Sequence, residues 1–178
     1  MQILFKIAIV FFIFIMAGNT PLQAQKVEVE KQIAQKEFPK NALRLILQDF
    51  PGAKKMKFYR ETAADSTTYE AKFRWNASRY SVEFLPNGSL MDIEKKIKLQ
   101  TIPLATLTRI RSQWAEDFKK VKVIKCQEQK SAEGIRYEIE VKGKKKIGVD
   151  LYEYLFESDG RLVQKRKIIL QPNDMTLY

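Results

Sequence analysis

The feature that most constrains this chain is an order of segments that occurs twice. An apolar stretch at helical period is followed, in each half, by stretches in which apolar and polar residues alternate. In the first half Leu43, Ile46, Leu47 and Phe50 fall at i, i+3, i+4 and i+7, one face of a helix, behind Phe38-Pro39. In the second half Leu107, Ile110 and Trp114 fall at i, i+3 and i+7 behind Ile102-Pro103. A proline there costs little, because the first N–H groups of a helix have no acceptor within it.

The segments after each helix carry the period of two that marks strands with one face buried. Lys55 to Arg60 predicts a short strand. Thr67 to Trp75 sets Tyr69, Ala71, Phe73 and Trp75 on one face and Glu70, Lys72 and Arg74 on the other. Asn76-Ala77-Ser78 turns the chain into Tyr80, Val82 and Phe84. Pro86-Asn87-Gly88 predicts a tight turn with positive φ at both Asn87 and Gly88, and Leu90 to Ile97 closes the first unit. The second half runs in the same order: Val121 to Cys126, then Tyr137, Ile139 and Val141, then Tyr152, Tyr154 and Phe156, a turn at Ser158-Asp159-Gly160, and Leu162 to Ile169. The alternation slips between Leu151 and Tyr152, which predicts a bulge there. The expected fold class is α+β: two tandem helix-plus-antiparallel-sheet repeats of about four strands each, at 38–100 and 101–170. Residues 25–37 form an N-terminal lead-in, extended around Val27 and Val29, and 171–178 a tail.

The motifs behind this order are Phe38-Pro39, Phe50-Pro51-Gly52-Ala53, Tyr69-Glu70-Ala71-Lys72-Phe73 and Phe84-Leu85-Pro86-Asn87-Gly88-Ser89-Leu90. They recur as Tyr137-Glu138-Ile139-Glu140-Val141 and Phe156-Glu157-Ser158-Asp159-Gly160-Arg161-Leu162. Together they resemble the PepSY-like, β-lactamase-inhibitor-like periplasmic proteins over roughly Phe38 to Ile169. Two departures stand out. Gln113-Trp114-Ala115-Glu116 replaces an aromatic-Pro helix end, and the hairpin at Lys144 to Lys146 is longer and more basic than the pattern. The resemblance implies an exported module that binds or inhibits a protein, such as an exported peptidase or other hydrolase, without enzymatic turnover of its own.

The N-terminus supports the same address. Ile7 to Ala17 is an unbroken apolar run, shorter than the ~20 residues that span a membrane. Gly18, Asn19 and Pro21 break it, so residues 1–24 are expected to be a signal peptide cleaved near Ala24. The other reading is a retained anchor helix. The whole chain of 178 residues has a formal net charge of +11, and removing Met1 to Ala24 takes one lysine and no acid, leaving +10. An exported chain rarely meets nucleic acid, so that charge points to anionic lipid, acidic polysaccharide or an acidic protein surface.

Composition excludes much chemistry. With no histidine there is no Ser-His-Asp triad and no His-ligated metal. A lone Cys126 forms no internal disulfide and no thiolate cluster, and reads as a small buried apolar residue. No catalytic, cofactor or metal residues are assigned. Glu138 and Glu140 share a strand face and read either as an acid pair or as a face neutralised by neighbouring Lys and Arg. The partner-binding candidates are Arg74, Trp75 and Arg79 around one strand end, and Lys144, Lys145 and Lys146 in the basic hairpin. Trp75 reads in preference as a cap on the core beneath the helix, like Phe73. The lysines read equally as protection of a sheet edge. Trp114 belongs to the helix face and hence to the core.

Overall fold

The computed structural model describes residues 28–63 and 66–168. The expected signal peptide, its cleavage near Ala24 and the tail at 171–178 lie outside the described residues. The lead-in supplies strand β1 (Glu28–Ile33) and a 3-10 turn at Gln35–Glu37. Helix α1 (Lys40–Asp49) precedes β2 (Lys54–Ala63), β3 (Ser66–Trp75), β4 (Ser78–Phe84) and β5 (Leu90–Lys96). A second 3-10 turn, Leu99–Thr101, leads to α2 (Leu104–Asp117), followed by β6 (Lys120–Ser131), β7 (Gly134–Lys144), β8 (Val149–Glu157) and β9 (Leu162–Ile168).

These strands make one antiparallel sheet of nine, in the order β1 to β9. The expectation of two separate helix-plus-sheet repeats is therefore corrected. β6 is much longer than Val121 to Cys126, and its second half pairs with β5 from Asp92↔Ser131 to Lys96↔Gln127. The lead-in adds β1 along β2. Two separate sheets would have left two further edges of unpaired N–H and C=O groups, and fusion removes both.

Both helices lie on the same face. α1 buries Ala42 and Ile46, with Phe38 and Phe50 at its ends, on Phe58, Ala71, Phe73, Val82 and Phe84. Leu47, expected in this face, is 57% exposed, because the buried stripe runs through positions 42, 46 and 50 and Leu47 lies one residue round from it. α2 buries Leu107, Ile110 and Trp114, as expected, on Ile139, Val141, Tyr152, Tyr154 and Phe156. Cys126 is buried in the same cluster, and burial pushes its thiol up to about 11. Each fully buried large side chain contributes about 1.5–3 kcal/mol of transfer free energy.

Two turn expectations are also corrected. In the Pro86-Asn87-Gly88 turn only Gly88 has positive φ. Gly88 N–H donates to the Leu85 carbonyl, Leu85 N–H donates to the Ser89 carbonyl, and the ladder shifts between Glu83 and Phe84. That is a longer hairpin closed by a glycine bulge. Gly160 closes β8–β9 in the same way. The bulge expected at Leu151-Tyr152 is absent, since β7 and β8 pair without a break from Arg136↔Glu157 to Lys144↔Val149. Leu151 sits on the face opposite the helices, where its apolar character had disguised the alternation. Besides the shift at Leu155-Phe156 by the β8–β9 hairpin, the irregularity of this half lies in β6, between Val123 and Lys125.

Candidate functional site

A period of two sends most of the strands' polar residues to the helix-free face. Register then decides which of them meet. Glu30 on β1 lies opposite Glu61 on β2, and Glu70 on β3 lies opposite Glu83 on β4. Glu83 faces Asp92, and Ser81 faces Glu94, on β5. Across the seam, Gln127 on β6 faces Glu138, Lys125 faces Glu140, and Glu140 faces Glu153. In a flat sheet β1 and β8 would stand roughly 34 Å apart. Here Glu30 and Glu153 line one groove of about 210 Å³, so the sheet curls around its helix-free face. Eight carboxylates and two lysines line that groove.

The lysines sit at its two flanks. Nζ of Lys72 is 2.8 Å from Glu30, 2.8 Å from Glu70 and 4.7 Å from the centre of the Tyr59 ring. Nζ of Lys125 is 3.1 Å from Glu138 and 3.4 Å from Glu140. Burial works against the Lys125 ammonium, but Glu138, Glu94 and Glu140 outweigh it and hold its pKa above the ordinary value. Glu70 accepts a hydrogen bond from the Ser81 hydroxyl, Gln127 donates to Glu94, and Gln129 donates to Asp92 at 2.9 Å.

The two ammonium groups, with the Arg166 guanidinium 3.5 Å from Glu153, do not neutralise eight carboxylates. Burial, then the charge of Glu70, pushes Glu61 up to about 8. Burial, then Glu138, pushes Glu94 up to about 8, and burial, then Glu83, pushes Asp92 up to about 7. Three acids in the groove are thus held near neutrality, a state that an incoming cation would reverse. Oxygens of Glu30, Glu61 and Glu70 lie within 4.8 Å of one another, as do those of Glu138, Glu140 and Glu153. In each trio an internal lysine already occupies the place of a cation. Glu138 and Glu140 are half-buried and share Lys125, the neutralised arrangement that was one of their two sequence readings.

The residues singled out from sequence are dispersed. Arg74 and Arg79 are exposed, directly opposite each other on β3 and β4, on the helix-free face. Trp75 points the other way. It is half-buried against Phe50, its ring 5.2 Å away, and its indole N–H donates to the Pro51 carbonyl at 3.0 Å. Lys144 and Lys146 are exposed at the β7–β8 hairpin. Lys145 turns to the helix side, donates to the Tyr152 hydroxyl at 2.6 Å and lies 3.4 Å from Asp150. The groove residues Glu61, Asp92, Glu94 and Lys125 were missed. Their outward phase was visible in sequence, but their convergence depends on register and curl.

No family model and no curated protein matches the chain. Solved structures do. A candidate periplasmic protein from Bacteroides eggerthii matches with a TM-score of 0.61 at 19% identity, covering 78% of this chain and 94% of that one. A DUF2874 family protein from Bacteroides uniformis matches at 0.60 and 16%, covering 77% and 94%. A BLIP-like protein from Bacteroides fragilis matches at 0.56 and 14%, covering 76% and 90%. The chain has a BLIP-like fold. At these identities the likeness extends to the fold alone.

Proposed function

We propose that the protein is an exported, non-enzymatic binding module that receives a cationic protein segment in the groove of its helix-free face. The observation that carries this reading is the excess of carboxylates over cationic groups in one concave site, where burial and then neighbouring carboxylates raise three of the acids. A lysine or arginine entering there would be desolvated beside several carboxylates, the setting in which charge pairs act most strongly. The uncovered sheet face, the fold shared with the candidate periplasmic protein and the apolar N-terminal run support the exported, protein-binding reading. Tethering of Glu138 and Glu140 to Lys125 supports a binding role over acid–base catalysis. Inhibition of an exported peptidase or other hydrolase is the form of binding that the sequence resemblance suggests.

The experiment is capture from an envelope extract on immobilised protein, run beside the double variant Asp92→Lys, Glu94→Lys and beside Lys144→Gln. A partner retained by the wild type and by Lys144→Gln, but lost by the groove variant, supports the reading. An identical retained set on all three refutes it. A captured hydrolase is then titrated, and loss of its activity at one equivalent establishes inhibition.

A further inference from the structure

The sheet carries a second charged feature, at one end of the helix-free face. Lys120 pairs directly with Lys144, and Lys122 pairs directly with Lys142, on β6 and β7. All four are exposed, and among the described residues none has a carboxylate partner. Like charges directly opposite in a ladder repel, and here the repulsion occurs twice in succession. Edge protection covers only half of it: β5 pairs with β6 from Gln127 to Ser131, which leaves Lys120 and Lys122 on an open stretch, but Lys142 and Lys144 lie on β7 between β6 and β8.

Aliphatic side chains border this block. Val149, opposite Lys144, is 51% exposed, and Leu151, opposite Lys142, lies on the same face with Ile168 beyond it on β9. Ile147, at the tip of the hairpin next to Lys146, is 93% exposed. We propose that this end of the sheet is a contact surface for an anionic lipid bilayer, with the lysine block on the headgroup phosphates and Ile147 and Val149 entering the interface. Anionic polymer would satisfy the lysines but has no use for exposed aliphatics. A peripheral contact combines both. Among the described residues no helix is long and apolar enough to cross a membrane, so this part of the chain would meet lipid by its surface. The inference rests on different residues from the groove and stands or falls independently of it.

The experiment is cosedimentation with vesicles of phosphatidylglycerol in phosphatidylcholine, against phosphatidylcholine alone, with the same N-terminus on every variant so that only differences are read. The wild type is expected on the anionic vesicles at 0.1 M salt and released near ~1 M, where the Debye length falls to ~3 Å. Replacing Lys120→Gln, Lys122→Gln, Lys142→Gln and Lys144→Gln together should lower partitioning at least ~30-fold. Ile147→Asp should lower it roughly tenfold with the lysines intact. All substituted side chains are exposed, and an unchanged melting curve confirms the fold of each variant. Equal binding of wild type to both vesicles, or undiminished binding of the quadruple variant, overturns the proposal. So does an Ile147→Asp variant that binds as the wild type, which together with full competition by dextran sulfate would mean a polyanion site instead.

Discussion

Single positions show how little freedom the helix side of the sheet allows. A Cβ built on Gly143 would stand 2.4 Å from the Phe118 ring, which closes the end of α2 over β7. Gly143→Ala is expected to cost about 1–3 kcal/mol in chemical denaturation, because the ring is boxed in by Tyr152 and Tyr154. The double variant with Phe118→Leu should recover part of the loss, and strict additivity would show that the ring is not the obstacle. Lys125 makes the opposite kind of case. Lys125→Met leaves Glu138, Glu140 and Glu94 without their shared ammonium, and about 1–3 kcal/mol should be lost at pH 8. The loss should shrink at pH 5, where the groove takes up protons, and an equal loss at both pH values would place the effect in packing instead. Cys126, buried and with its thiol pushed up, should resist thiol reagents in the folded protein, as labelling before and after denaturation would show.

At the scale of elements, the groove gives stability an unusual pH dependence. Glu61, Asp92 and Glu94 have folded pKa values above those of the unfolded chain, so the folded state binds more protons. Their contribution is fully present below the ordinary carboxylate range and is lost as pH rises through about 7 and 8. The melting temperature should fall between pH 5 and pH 8.5, and Glu94→Gln should flatten that slope. A flat profile in the wild type would show that the groove is fully neutralised from within. Strands, turns and helix faces were largely legible in sequence, since Tyr69-Ala71-Phe73 and Tyr152-Tyr154-Phe156 alternate cleanly and Leu107, Ile110 and Trp114 share a stripe. Leu151 misled because an apolar residue on the solvent face breaks a two-letter pattern without breaking the strand. The groove was less legible. Glu30 and Glu61 are separated by a 3-10 turn and a helix, and nothing local says that they will face each other. Trp75 and Arg74, neighbours in sequence, part to opposite faces, as their alternation already required.

At the scale of the molecule, the two hydrophobic clusters are joined through β5 and β6, and between them the helix side carries Lys95, Glu128 and Lys130. The halves therefore share a backbone ladder but little apolar contact, and each should open with some independence. Amides bonded across β5–β6 are expected to exchange faster than those of β3–β4 and β7–β8, and Ile139→Ala should speed exchange around α2 while sparing α1. Uniform protection across all nine strands would make the sheet a single cooperative unit.

The order of the strands in space is also their order in the chain, from β1 to β9 without a crossover. Every strand after β1 finds its first partner among residues that precede it. A chain released gradually from its N-terminal end can thus lay down each strand on an edge that already exists, with α1 closing the first cluster before α2 is present. No segment has to wait for a distant one, and at every stage only one growing edge stands open.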